Sequence, residues 1–253
     1  MKKQIYIFFI VLALCLIPFL RIVSGNSTND SISSEPTNSE NTNDAIDFTT
    51  LSMVCLGDSL TMSREDGTSY PDSLKEELGL VRVNNYGVGW STLGYMPNCS
   101  CHPTNDWNHS PMVYRYSAME KADIIGVMGG TNDYGVGLPI GTINDYSSTT
   151  FYGALNILVD GLQNLYPDSY IFFMTQFAYD NGDDCNGAGI YRTEYNEAIK
   201  AVCLQKGIDC FDVANELEFS CKEDTIDEVH PTKEFVDTIW VPKLAEFIKD
   251  NYR

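Results

Sequence analysis

Basic residues are scarce in this chain. Its 253 residues carry 16 Lys and Arg against 35 Asp and Glu, a formal net charge of −19. Phosphates would be repelled over most of such a surface, which excludes nucleic acid as a partner and argues against docking on anionic lipid. Histidine is scarcer still: His102, His109 and His230 are the only three, so proton transfer near neutral pH has few possible centres. No internal repeat is visible, and the length suits one domain plus an extra segment rather than an array. Eight cysteines are many for a cytosolic enzyme and few for a disulfide miniprotein. What the chain does have is apolar material: 43% hydrophobic and 12% aromatic residues, enough for a packed core and too much for global disorder.

The apolar residues are unevenly placed. Lys2 and Lys3 precede an uncharged run over residues 5–20, which Arg21 ends and the small Ser24 and Gly25 follow. This is the pattern of an export signal, cleaved after Gly25 or kept as an anchor, over residues 1–25. The positive residues stay inside, so the remainder is expected outside the cytoplasm, secreted or tethered to the outer face of the membrane. Cys15 follows Leu14, which is too large for the residue normally found before a lipidated cysteine. Residues 26–47 offer almost nothing to bury and no Lys or Arg, and read as a disordered polar linker.

From residue 48 to 253 strands and helices alternate. Short apolar runs at 51–56, 81–85, 122–128, 170–175 and 208–213 predict strands. Between them, 69–79 predicts a helix with Pro71 in its first turn and Gly79 at its stop. Leu155, Leu158, Leu162 and Leu165 form a helical stripe, and Tyr195, Ile199, Val202 and Cys203 mark another. A last helix is expected to open at Pro231, carry Phe235, Ile239, Leu244 and Phe247 on its buried face, and kink at Pro242. Such alternation implies a parallel sheet covered by helices on both faces.

Open parallel sheets bind ligands beyond the carboxyl ends of their strands, so the strand junctions carry the chemistry. After the first strand, Gly57-Asp58-Ser59 presents a serine on a tight turn. After the second, Asn84-Asn85-Tyr86-Gly87-Val88-Gly89 offers backbone that a ligand can approach. After the third, Gly129-Gly130-Thr131-Asn132-Asp133 places an amide able to donate to an oxygen that gains negative charge. Near the end, Asp227 and His230 are three apart, so a carboxylate can orient an imidazole, and Pro231 keeps that histidine on a loop. Taken singly, each has an ordinary explanation: an N-cap serine, a plain loop, an Asx-turn and an exposed loop histidine.

Taken together, in this order, the four segments resemble the blocks of the SGNH, or GDSL, hydrolase family: GDS, a loop glycine, GxND and DxxH, here at Gly57–Ser59, Gly89, Gly130–Asp133 and Asp227–His230. The resemblance spans about 48–253. It implies an α/β fold, a three-layer α/β/α, flavodoxin-like sandwich with five parallel strands in order 2-1-3-4-5. It further implies Ser59 as nucleophile, His230 as base and Asp227 as its orienting partner. The oxyanion hole would be the backbone N–H groups of Ser59 and Gly89 with the Asn132 side chain. No metal or organic cofactor is implied. Trp90 stands where the family has a small or polar residue, which leaves Gly87 as the alternative to Gly89.

The expected activity is ester hydrolysis, with an acetyl or other short acyl group on an extracellular carbohydrate as substrate. Aromatic residues crowd the loop after the second strand: Tyr86, Trp90, Tyr95, Trp107, Tyr114 and Tyr116. They can stack on sugar rings or simply pack the loop. A lipase, lysophospholipase, thioesterase or acyltransferase of the same fold stands as the alternative, as does a non-catalytic glycan-binding domain, although no member of the triad is missing. Cys99, Cys101, His102 and His109 have the residue types of a zinc site, but cysteines of an exported chain more often oxidise. Without Cys15 seven cysteines remain, an odd count, and Cys55 inside the first strand is the candidate free thiol. Cys203 with Cys210 and Cys185 with Cys221 are the expected pairs.

Overall fold

The computed structural model describes residues 46–97, 99, 111–179 and 185–253. The expected export segment and nearly all of the polar linker lie outside the described residues. Five parallel strands form one sheet: β1 (Ser52–Gly57), β2 (Arg82–Gly87), β3 (Ile124–Met128), β4 (Tyr170–Met174) and β5 (Asp209–Phe211). Their order is β2-β1-β3-β4-β5, the order the resemblance implied. The helices are α1 (Tyr70–Leu78), α2 (Met112–Arg115), α3 (Thr131–Val136), α4 (Phe151–Leu165), α5 (Arg192–Lys206), α6 (Val213–Glu216), α7 (Lys233–Phe235) and α8 (Val241–Asn251).

The sheet is buried on both faces because its central strands are apolar almost throughout, Ser52 being the exception in β1. Alternate residues divide the core in two. Val54, Leu56, Ile125, Val127 and Phe173 pack with Leu155, Leu158 and Leu162 of α4 and with Tyr195, Ile199 and Val202 of α5. Met53, Cys55, Ile124, Phe172 and Met174 pack with Leu74 and Leu78 of α1 and with Leu244 and Ile248 of α8. The result is the three-layer α/β/α sandwich. Helix ends follow local chemistry. The Ser69 hydroxyl accepts from the Asp72 N–H to open α1, and Gly79 closes it at φ 69°. Thr150 accepts from the Gly153 N–H to open α4.

Three details differ from the sequence expectation. Strand β5 is only three residues long, and Asp212 already begins the turn into α6. The last helix opens at Lys233, not Pro231, because Thr232 caps it by accepting from the Phe235 N–H at 3.2 Å. The expected kink at Pro242 is instead a π turn over Val236–Trp240, with the Val241 N–H reaching the Val236 carbonyl. Pro242 has no N–H to continue the α-helical ladder, and the wider turn precedes it. Widening rotates the face: Ile239, expected in the core, is 39% exposed, while Trp240 is buried against Tyr70 and Phe177 at ring distances of 4.6 and 5.0 Å.

β1 is paired on both sides to its last residue, with Gly57 opposite Gly87 of β2 and Met128 of β3. The three junctions therefore leave the sheet at one level. Gly87 is a close-approach glycine: a Cβ there would lie 2.2 Å from Met62 N. Gly87→Ala is expected to cost about 1–3 kcal/mol of stability in urea titration, since backbone must shift to admit the methyl.

Candidate active site

The junction after β1 is held from inside. Thr61 N–H and Met62 N–H donate to the Asp58 carbonyl, and Leu60 N–H donates to Asp58 Oδ1 at 2.9 Å. Gly57 has to be small, because a Cβ there would sit 1.9 Å from Thr61 Oγ1. This tight turn leaves Ser59 half-buried at the sheet edge, with its Oγ 2.9 Å from His230 Nε2.

The histidine arrives on a closed loop. Thr225 and Pro231 form an antiparallel bridge, Ile226 N–H donates to the His230 carbonyl, and Arg64 Nη1 donates to the Pro231 carbonyl at 2.9 Å. Within the loop, Asp227 Oδ1 accepts from the N–H groups of Val229 and His230 at 3.1 and 2.8 Å, while Oδ2 meets His230 Nδ1 at 2.7 Å. Glu228 takes a left-handed backbone, φ 66°, which lets the carboxylate turn back on the ring. Burial pushes the Asp227 carboxyl up, but the His230 N–H, the imidazole and the Val229 N–H outweigh it and hold the carboxyl below its ordinary 3.8. An imidazole so oriented can take a proton from the hydroxyl at its other nitrogen.

The residues expected to stabilise an oxyanion follow strands that end level with β1, from which Ser59 projects. Asn132 lies in the first turn of α3, directly after β3, and donates from Nδ2 to the Ser91 carbonyl at 2.9 Å, which leaves its second amide hydrogen to donate. Gly87 and Gly89 differ in hydrogen bonding. Gly87 N–H is taken by Asn85 Oδ1 at 2.8 Å, whereas Gly89 N–H meets no acceptor among the described residues. Gly89 sits in a turn closed by Ser91 N–H on the Val88 carbonyl, and Trp90, also in that turn, has φ 63°. A bulky residue there is strained. Trp90 is 73% exposed nonetheless.

Two roles had no signal in the sequence, although Asp133 itself closes the Gly130–Asp133 segment. Asp133 is fully buried and its two oxygens accept from Leu93 and Gly94 N–H at 2.8 and 2.9 Å, so it pins the loop after β2 to α3. Arg115 is 8% exposed and donates to the carbonyls of Gly57 and Tyr86 and to Ser91 Oγ. It belongs to no short motif, and its acceptors are distant in sequence. The aromatic loop mostly packs: Tyr86 and Tyr116 lie against the core, and Tyr95 pairs with Tyr114 at 6.0 Å. Trp107 lies outside the described residues.

The expected disulfides are corrected. Cys185, Cys203, Cys210 and Cys221 are thiols, so neither proposed pair is bonded. Cys203 and Cys210 are near neighbours all the same: the Cys210 thiol, with burial, raises the Cys203 pKa. Cys55 is a buried thiol as expected, pushed up to about 12 by burial. Cys99 is disulfide-bonded; Cys101, His102 and His109 lie outside the described residues.

Residues 55–235 match the model of the GDSL-like lipase/acylhydrolase family. Among solved structures, a protein from Lactobacillus plantarum is 27% identical with a TM-score of 0.69, covering 81% of this chain and 99% of its own. A possible lipase from Chitinophaga pinensis is 20% identical with a TM-score of 0.62, covering 79% and 98%. A carbohydrate acetylesterase from Sinorhizobium meliloti is 18% identical with a TM-score of 0.53, covering 79% and 97%. At 20% and 18% the likeness is one of fold. No curated protein matches the chain.

The buried carboxyls make stability depend on pH. Burial raises Asp58 to about 7, against the N–H of Leu60 and the charge of Arg115, and raises Asp133 to about 6. Asp58 Oδ2 has no partner among the described residues. Between about pH 4 and 7 the folded chain holds a proton at Asp58 that the unfolded chain has released. The sign is therefore that this stability is present below about pH 4 and lost as pH rises through about 7. The Tm of Asp58→Asn, followed by circular dichroism, is expected to fall less steeply across that window than the wild-type Tm.

Proposed function

Because the chain belongs to the GDSL-like lipase/acylhydrolase family, we propose that it is a serine esterase that removes short acyl groups, acetyl above all, from an extracellular carbohydrate. The observation that carries the esterase reading is the unbroken hydrogen-bond chain from Ser59 Oγ through His230 to Asp227, at 2.9 and 2.7 Å. Ser59 attacks the ester carbonyl while His230 Nε2 takes its proton. The oxyanion that forms is met by the N–H groups of Ser59 and Gly89 and by Asn132 Nδ2, and one such donor is worth about 3 kcal/mol of barrier. His230 returns the proton to the leaving alcohol. Water, activated by the same histidine, then releases the acid. Asp227, held ionised by its three donors, keeps the imidazole in the tautomer that accepts at Nε2. No step needs a metal or an organic cofactor. The intact chain of three residues speaks against a binding domain that has lost catalysis.

The carbohydrate assignment rests on less. Trp90 offers an exposed ring one residue beyond Gly89, at strained backbone cost, as a stacking face for a sugar would be. The export pattern and the acidic surface suit an extracellular glycan. A structural relative is called a carbohydrate acetylesterase, but at 18% identity it supports the capacity of the fold and no more. One observation favours a lipase instead: Met62 and Ile226, close in sequence to Ser59 and Asp227, are exposed and apolar.

Three measurements test the mechanism and separate the two substrate readings. Ser59→Ala is expected to lower esterase kcat by on the order of 10⁴ or more with little change in Tm, and undiminished turnover in that variant would remove the mechanism. On a panel of esters, a small acyl pocket predicts kcat/KM that falls beyond acetyl, whereas a lipase gains up to about 0.8 kcal/mol per buried CH₂. Trp90→Ala is expected to weaken action on acetylated glycans more than on a small aryl acetate. Fastest turnover of long-chain esters, with no such difference at Trp90, would leave the esterase and discard the carbohydrate.

A further inference from the structure

The oxyanion donors of the proposed esterase come from three separate chain segments, and one side chain bonds directly to two of them and connects through Ser91 to the third. Arg115 Nη2 donates to the Gly57 carbonyl at 2.5 Å, two residues before Ser59. Its Nη1 donates to the Tyr86 carbonyl at 2.5 Å, at the end of the strand that leads to Gly89. Nη2 also reaches Ser91 Oγ at 3.2 Å, just past Gly89 and Trp90. The Ser91 carbonyl in turn receives the Asn132 amide at 2.9 Å. The helix that carries Arg115 is sewn to the same loop, with Met112 and Val113 N–H on the Thr92 and Leu93 carbonyls.

From this juxtaposition we infer that Arg115 is the positioning residue of the oxyanion hole, setting the separation of the Ser59, Gly89 and Asn132 donors without touching substrate. The inference rests on the esterase reading above. Among the described residues it is the only Lys or Arg that is buried, in a chain of strongly negative charge. Burial lowers its pKa to about 10, opposed by the nearby Asp58, so it stays charged at neutral pH. A guanidinium suits the place because its planar fork can serve acceptors in divergent directions at once. A lysine ammonium is a single point and cannot span two carbonyls and a hydroxyl together. Donors for an oxyanion act through preorganisation, and a displacement of about 1 Å is enough to lose on the order of 10²-fold in rate.

The test compares wild type, Arg115→Lys and Ser91→Ala on a small aryl acetate, with phenylboronic acid as a probe whose tetrahedral adduct on Ser59 places an oxygen where the oxyanion forms. For Arg115→Lys, kcat is expected to fall on the order of ten- to a hundredfold while KM stays within about threefold, because the donors matter most once charge develops. Boronate affinity is expected to fall in parallel with kcat. Ser91→Ala removes one of the three acceptors of Arg115 named above, together with the hydroxyl's bond to the Thr92 carbonyl, and is expected to show the same pattern at smaller amplitude. That variant decides the matter if Arg115→Lys does not fold by near-UV circular dichroism. Wild-type kcat and boronate affinity in a folded Arg115→Lys, or in Ser91→Ala where only that variant folds, would overturn the positioning role alone. So would a loss of kcat with boronate affinity retained. Wild type that neither hydrolyses esters nor binds the boronate would overturn the esterase reading, and the inference with it.

Discussion

The site depends on the register of one strand. Gly57 closes β1 opposite Gly87 on one side and Met128 on the other. Parallel ladder bonds lock the three strand ends level, because slipping either neighbour by one residue would exchange its side chains between the two helix-covered faces and spoil the packing of both. From that common edge Ser59 lies two residues on, Gly89 two residues on and Asn132 four. Groups scattered over some seventy positions of the chain are thereby brought to one place before any of them touches another. His230 is the exception. It comes from beyond the sheet on a loop whose own hydrogen bonds, including the reach of Arg64 to the Pro231 carbonyl, define where the ring sits.

Behind that edge the protein buries charged groups, which is costly unless they are well partnered. Asp133 is buried with two backbone donors, and Arg115 with two carbonyls and a hydroxyl. Asp58 is buried with one oxygen occupied and the other unpartnered among the described residues, and its raised pKa is the response. The partners named for these three side chains lie in the loops that carry the candidate oxyanion donors or at the strand ends that lead into them. Apolar residues of similar volume would pack the same space, but they would leave those loop N–H and carbonyl groups unsatisfied. The polar interior and the arrangement of the edge are thus two aspects of one structure.

The rim is built differently. Trp90 is held with φ 63° and with most of its ring in solvent, and Glu228 has a similar backbone at φ 66° beside the histidine. Among the described residues, both non-glycine residues with left-handed backbone fall in segments of the candidate site, one in the loop after β2 and one in the loop of His230. Strain of this kind persists only where surrounding bonds over-determine it, here the Val88–Ser91 turn and the Asp227 carboxylate.

The sequence by itself determined the periodic core, the alternation of strand and helix, and the four segments of chemistry with their order. Each of these is written in local spacing: Leu155, Leu158 and Leu162 along one helix face, Asp227 three residues before His230, a serine on a tight turn. The strand order followed from the resemblance those segments carry. What the sequence did not contain were effects that cross the fold. Arg115 and Asp133 act on acceptors and donors 24 to 58 residues away, so no window of the chain reveals those partners, even where it shows Asp133 itself. Ile239 and Trp240 exchanged places because Pro242 has no N–H to give and a π turn precedes it, an adjustment that a fixed helical period cannot express. Gly87 and Gly89 are equivalent as letters. Only the side chain of Asn85, folded back onto one of the two N–H groups, tells them apart. Composition and spacing decide which groups are available, and the tertiary structure decides which of them are already occupied, because a hydrogen bond to a distant partner removes a donor that the sequence still counts as present.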